Sequence, residues 1–209
     1  MAKLFNGILG APSGKVGGVV AGSWKDKSYI RAYSVPANPN TPAQQAQRDK
    51  FRKCVNFAKL LIGQVFNVYT DQFLKSMSGY NYFISRNIDN FADPVNYAAI
   101  KITEGKLFMP QILSVEEDPA NDAVAVQFST ENGSNGVSAD EVYGAVYNVT
   151  TGVMRFALAP SRRDSGSLAF ALPMEAGDKV VTYIFAAKKT GTVIDMISDS
   201  DSHVTDSVA

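Results

Sequence analysis

The sequence predicts an α+β protein: an N-terminal glycine-rich β-hairpin arm and a long helix, followed by a C-terminal antiparallel immunoglobulin-like β-sandwich. Three observations predict it. Glycines crowd the start of the chain, at positions 7, 10, 14, 17, 18 and 22. Apolar residues then recur at spacings of three and four, and beyond residue 105 their period becomes two. The charge changes at the same place. Residues 1–105 carry 13 Lys and Arg against 6 Asp and Glu, a net of +7; residues 106–209 carry 7 against 14, a net of −7. A basic half joined to an acidic half favours assembly or docking over solution chemistry.

Four segments follow from this pattern: arm and linker over 1–41, a helical segment over 42–105, the sandwich over 106–198 and a polar, frayed tail over 199–209. In the arm, strands are predicted at about 15–24 and 28–34, with Lys25, Asp26, Lys27 and Ser28 as the turn. Glycines weaken a free hairpin, so they fit a segment that another backbone or surface approaches; an arm ordered on its own domain is the second reading. Pro36 and Pro39 mark an extended linker. Thr41, Pro42 and Gln44 then form a helix start, with cap, first helical position and capping box. The helix is predicted to run from 42 to about 70–76, bending at Gly63, with its apolar face at 51, 55, 58, 62, 65, 66 and 69. Arg48, Lys50, Arg52, Lys53 and Lys59 make its first half basic. A second helix is predicted over 79–91, capped by Ser78, with Tyr80, Phe83, Ile84, Ile88 and Phe91 inward. Strands are predicted at about 106–114, 123–128, 142–147, 153–158, 167–172, 178–187 and 192–197, separated by Asp, Gly, Asn and Ser clusters. The Cys-Trp-Cys signature of antibody domains is absent, so the sandwich prediction is one of architecture.

Composition and motifs exclude several function classes. No run of about 18 apolar residues is present to span a membrane. The N-terminus breaks at Gly7 and Gly10 where a secretory signal would continue apolar. The single cysteine, Cys54, excludes an internal disulfide and fits a chain made in a reducing cytoplasm. A phosphate loop around Gly14-Lys15 fails, because Leu9 and Val16 stand where the motif needs Gly and Ser or Thr. The single histidine, His203, leaves no multi-histidine metal site and no histidine triad. Glu116, Glu117, Asp118 and Asp122 read as solvated turn acids rather than a glycosidase pair. The run from Asp199 to Asp206 lacks the glycine and terminal glutamate of a calcium loop. The sequence therefore implies no catalytic residue, cofactor or metal.

The N-terminal region carries a distinctive string. It comprises Gly7-Ile8-Leu9-Gly10, Ser13-Gly14-Lys15-Val16-Gly17, Val19-Val20, Ser23-Trp24-Lys25, Tyr29-Ile30-Arg31 and Asn38-Pro39-Asn40-Thr41-Pro42-Ala43-Gln44-Gln45-Ala46-Gln47-Arg48. This string resembles an uncharacterised family found in Bacteroidota and their phages, crAss-like phages included. The resemblance is strong over about residues 7–60 and weaker beyond. Asp26 stands where the family often has Gly, which puts the hairpin turn in question. The resemblance carries over no catalytic residue. It implies a structural role in a virion, with other virion proteins and copies of the chain as partners, as in a ring, neck, tail or capsid-associated layer. A surface module binding protein or glycan, and a nucleic-acid-associated protein using the basic helix, are the alternatives. The expected interface residues are Trp24, Tyr29, Arg31, Arg48 and Arg52. For Trp24 and Tyr29 the competing reading is that they cover the long helix of their own chain.

Overall fold

The computed structural model describes residues 3–4, 12–24, 27–35, 37–38, 40–157 and 159–206. Gly7, Gly10, the turn residues Lys25 and Asp26, the linker prolines Pro36 and Pro39, and tail residues 207–209 lie outside the described residues. The chain divides into two compact units, 1–42 and 43–209.

The first unit is an antiparallel sheet of β1 (Lys3–Leu4), β2 (Pro12–Val16), β3 (Val19–Trp24) and β4 (Lys27–Ala32), paired in that order. The strand expected over 15–24 is thus two strands. Val16 pairs with Val19, so Gly17-Gly18 is a two-residue hairpin loop. Gly17 has φ +55°, a left-handed conformation that costs glycine little. The second hairpin pairs Trp24 with Lys27, so Lys27 and Ser28, expected in the turn, belong to β4.

Helix α1 (Pro42–Leu61) starts at the predicted Pro42, and the second unit begins at its next residue, Ala43. The helical path continues as predicted, but not as α-helix. Ile62–Thr70 is π-helical and Asp71–Phe73 is a 3₁₀ turn. The Asp71 N–H bonds the Phe66 carbonyl, five residues back. The change begins at Ile62, one residue before the Gly63 at which the sequence placed a bend. The buried stripe is Cys54, Phe57, Ala58, Leu61, Val65, Phe66 and Tyr69. Phe51, expected inward, is exposed, because the sheet beneath the helix selects the face that is buried. Helix α2 (Gly79–Asn87), extended by a 3₁₀ turn over Ile88–Phe91, starts at Ser78, whose Oγ accepts from the Asn81 N–H at 3.4 Å. Phe83 and Phe91 are buried as predicted.

Two antiparallel sheets follow. The smaller contains β5 (Ile112–Asp118), β6 (Ala123–Phe128) and β10 (Ser167–Ala171), in the order β10-β6-β5. The larger has β11 (Lys179–Thr190) and β7 (Glu141–Asn148) at its centre. Along the free side of β7 run β8 (Val153–Phe156) and β9 (Ser161–Arg162). Along that of β11 run β12 (Val193–Ile197) and β13 (Asp201–Asp206). The first strand begins at 112 rather than 106. Before it, Leu107 is buried and bridges to Ser198.

The larger sheet is buried on both faces, which explains the nearly continuous apolar run of β11. Val181, Tyr183, Phe185 and Ala187 pack with the helical layer. Val180, Ile184 and Ala186 pack with Val124, Val126, Phe128, Leu168 and Phe170 of the smaller sheet. Phe57 sits at the helical contact, with ring centroids 5.1 Å from Tyr147, 5.6 Å from Phe91 and 5.9 Å from Phe83.

Two expectations change here. The helical segment and the two sheets belong to one unit with a shared core, so the charge change near residue 105 does not coincide with the division between the units. Nor is the tail frayed over 201–206. There β13 pairs with β11 from Lys179 to Ile184. The Asp201 carboxylate accepts the Ile112 N–H at 2.8 Å, and the Ser202 hydroxyl donates to the Ala98 carbonyl at 2.7 Å. The polar residues that suggested disorder are used as hydrogen-bonding partners.

Candidate interaction site

The arm sheet holds the residues that the sequence singled out. Side chains alternate across a strand, and directly paired residues share a face. The pairs Lys15–Val20, Val20–Arg31, Gly22–Tyr29 and Trp24–Lys27 therefore put Lys15, Trp24, Lys27, Tyr29 and Arg31 on one face. Three of the five expected interface residues thus come together. Tyr29 lies across Gly22: a Cβ on that glycine would come within 3.1 Å of the phenol oxygen. Lys15 Nζ stands 3.4 Å from the centroid of the Tyr33 ring, a cation–π contact. Trp24 is 69 % exposed and Tyr29 and Arg31 are exposed as well. The sequence reading missed Lys15, Lys27 and Tyr33. The first two were legible once the register of the hairpins was fixed.

The opposite face is aliphatic. Val16 and Val19 pair there, as do Ala21 and Ile30. Val16 is 63 % and Ile30 64 % exposed. Among the described residues of 13–42, none is buried. A sheet this small needs a covered hydrophobic face to be stable in water.

Arg48 and Arg52 stand on α1, in the other unit, and both are exposed. The basic half of that helix is partly neutralised within its own unit. Lys50 pairs with Asp89 at 2.6 Å, Lys53 with Asp93 at 3.5 Å and Arg52 with Asp49 at 2.7 Å. These exposed pairs are worth little in stability, but they reduce the field that a polyanion would meet.

Two polar clusters lie in the second unit. A cleft beside α2 is lined by Phe66, Thr70, Tyr82, Arg86, Asn87 and Glu104. Most of its polar groups are already engaged. Glu104 accepts from Tyr82 at 2.5 Å and from Arg86 at 2.8 and 3.1 Å, and Asn87 bonds the Phe83 and Lys101 backbone. The second cluster, Glu141 with Lys189 and Tyr143, is also mutually paired. Among the described residues, no three or more His, Cys, Asp and Glu side chains are grouped so as to hold a metal ion. No helix among them is long and apolar enough to cross a membrane.

These carboxylates give the fold an acid sensitivity. Hydrogen bonds from Arg86 and Tyr82 hold Glu104 below its ordinary range, and those from Lys189 and Tyr143 do the same for Glu141. For Asp199, burial pushes upward, but Lys101 and the Gly105 N–H outweigh it. A carboxyl lowered in the folded state stabilises above its unfolded pKa, and the benefit is lost as pH falls through the folded one. The melting temperature should therefore decline below pH about 4.5. Glu104→Gln should flatten that decline, as a pH series of thermal melts would read.

No curated protein and no solved structure matches the chain. A family model described as a family of unknown function, DUF6266, matches residues 11–198. That span takes in the arm from its second strand, both helices and nearly all of the two sheets, and the chain belongs to this family.

Proposed function

We propose that the chain is a non-enzymatic structural subunit of a virion of a phage of Bacteroidota. It is made in the host cytoplasm and built into a ring, neck, tail or capsid-associated layer. The observation that carries this reading is the arm sheet. It exposes an aliphatic face and a cationic, aromatic face, and none of its described residues from Ser13 on is buried. A sheet with such faces is suited to meet a partner, and apolar patches of this kind mark interaction surfaces. The second unit, by contrast, has a full core of its own. The resemblance of the N-terminal string to proteins of Bacteroidota phages supplies the virion.

The two sheets support the immunoglobulin-like reading of the sandwich. Leaving aside the two-residue β9 and counting β12 with β13 as one interrupted strand, the first, second and fifth strands share one sheet. The third, sixth and seventh share the other, as in that architecture, with the fourth moved to the second sheet. Nucleic-acid binding is the second reading. It is favoured by the cations beside Trp24 and Tyr29 on the arm rather than by the helix.

Mass spectrometry of purified particles from the native source, with electron microscopy, tests the proposal. The chain should be present in fixed stoichiometry in one layer of the particle. Its absence from particles, together with a monomeric state in solution, would contradict it.

A further inference from the structure

We propose that the cationic, aromatic face of the arm in one copy docks on the outer face of the three-stranded sheet of a second copy. The inference rests on the assembly reading above and names its contact.

The outer face of that sheet is the arm's complement in shape. Ala125 pairs with Ala169, and Ala171 lies one row further on. All three are exposed, and no tall side chain stands among them. Sheets that pack face to face interdigitate large side chains of one with small ones of the other. The arm supplies the large ones, Tyr29 and Trp24, raised on a strand pair that carries Gly22 beneath the tyrosine.

The charges are complementary as well. On β4, Lys27 and Arg31 flank Tyr29 on the docking face. On β5, Glu116 and Asp118 share the alanine face, Glu116 opposite Ala125 and Asp118 opposite Ala123. Both acids are exposed, and Glu116 has no ion-pair partner among the described residues. Both β4 and β5 are edge strands of their sheets. Laying β4 along β5 sets two cations against two anions and puts the tyrosine over the alanine floor. The contact joins unlike surfaces, so it repeats from copy to copy and closes into a ring or runs on as a filament. A single-stranded nucleic acid fits the same face less well. Lys15 already covers one side of the Tyr33 ring on which a base would stack.

The test uses the full chain and complementary charge reversals, read by sedimentation velocity over a concentration series. Lys27→Glu with Arg31→Glu reverses the arm; Glu116→Lys with Asp118→Lys reverses the sheet. Each double variant should lose self-association by about tenfold or more, while an equimolar mixture of the two regains it. Ala169→Arg should block association by bulk. Thermal melts of every variant verify that the fold is intact. If the wild type associates and folded variants associate equally well, this contact is wrong and the assembly reading stands. A mixture that fails to recover also overturns the contact. A wild type that remains monomeric at every concentration and salt level overturns this contact, while the virion reading is decided by the particle analysis above. If reversing the arm abolishes binding of a single-stranded oligonucleotide but leaves self-association unchanged, the face belongs to nucleic acid instead.

Discussion

Removing residues 1–34 should abolish assembly and leave the rest of the protein folded, with its melting temperature changed by no more than about 2 °C. The asymmetry of the two units dictates this outcome. Among the described residues, every member of both hydrophobic cores lies between Cys54 and Val204, so the deletion removes none of them. What it removes is a sheet whose described residues from Ser13 on are all exposed or half-buried. Sedimentation and thermal melts on the truncated chain check both halves of the statement. A truncated chain that assembles like the full one would show that the arm is not the contact.

The largest effect on stability is expected at a residue that the sequence reading did not single out. Arg163 is 0 % exposed, and its partner Asp140 is 2 % exposed. The guanidinium Nε stands 3.6 Å from the Asp140 carboxylate. Its Nη atoms donate to the Glu131 carbonyl at 3.0 Å and the Phe108 carbonyl at 2.8 Å. Asp140 also accepts the Val137 N–H at 2.7 Å. The pair thus ties three loop segments, around 108, 131–140 and 163, to one buried charge. Asp140→Ala leaves that charge uncompensated and should cost about 3–5 kcal/mol, on the scale measured for broken buried pairs. Arg52→Ala breaks an exposed pair of similar formal chemistry and should cost no more than about 0.5 kcal/mol. Urea unfolding of the two variants beside the wild type reads the difference. A small loss for Asp140→Ala would mean that water or a shifted side chain satisfies Arg163.

The features legible in the sequence were those with local causes. Pro42 and Ser78 open helices because capping chemistry is confined to a few residues. The strand over 123–128 was legible because its alternation matches one buried and one exposed face. The strand over 201–206 was not, because its pairing with Lys179–Ile184 comes from a partner about twenty residues away in sequence. Arg163 could not be read for the same reason: its partners are brought together only by the fold. The charge change at 105 was real, but charge sits on surfaces and says nothing of which elements share a core. At the candidate site, Tyr29 and Arg31 could be placed on one face by their spacing of two. Trp24 joined them only once its pairing with Lys27 set the register.

The chain has one tryptophan, Trp24, and it lies on the face proposed to be covered. Its fluorescence therefore reports on the central claim without any substitution. As concentration drives assembly, Trp24 emission should shift to the blue, and quenching by acrylamide should fall in step with the rise in mass. A rise in mass with Trp24 emission and quenching unchanged would show that the chains meet elsewhere, and that this face of the arm is not where they join.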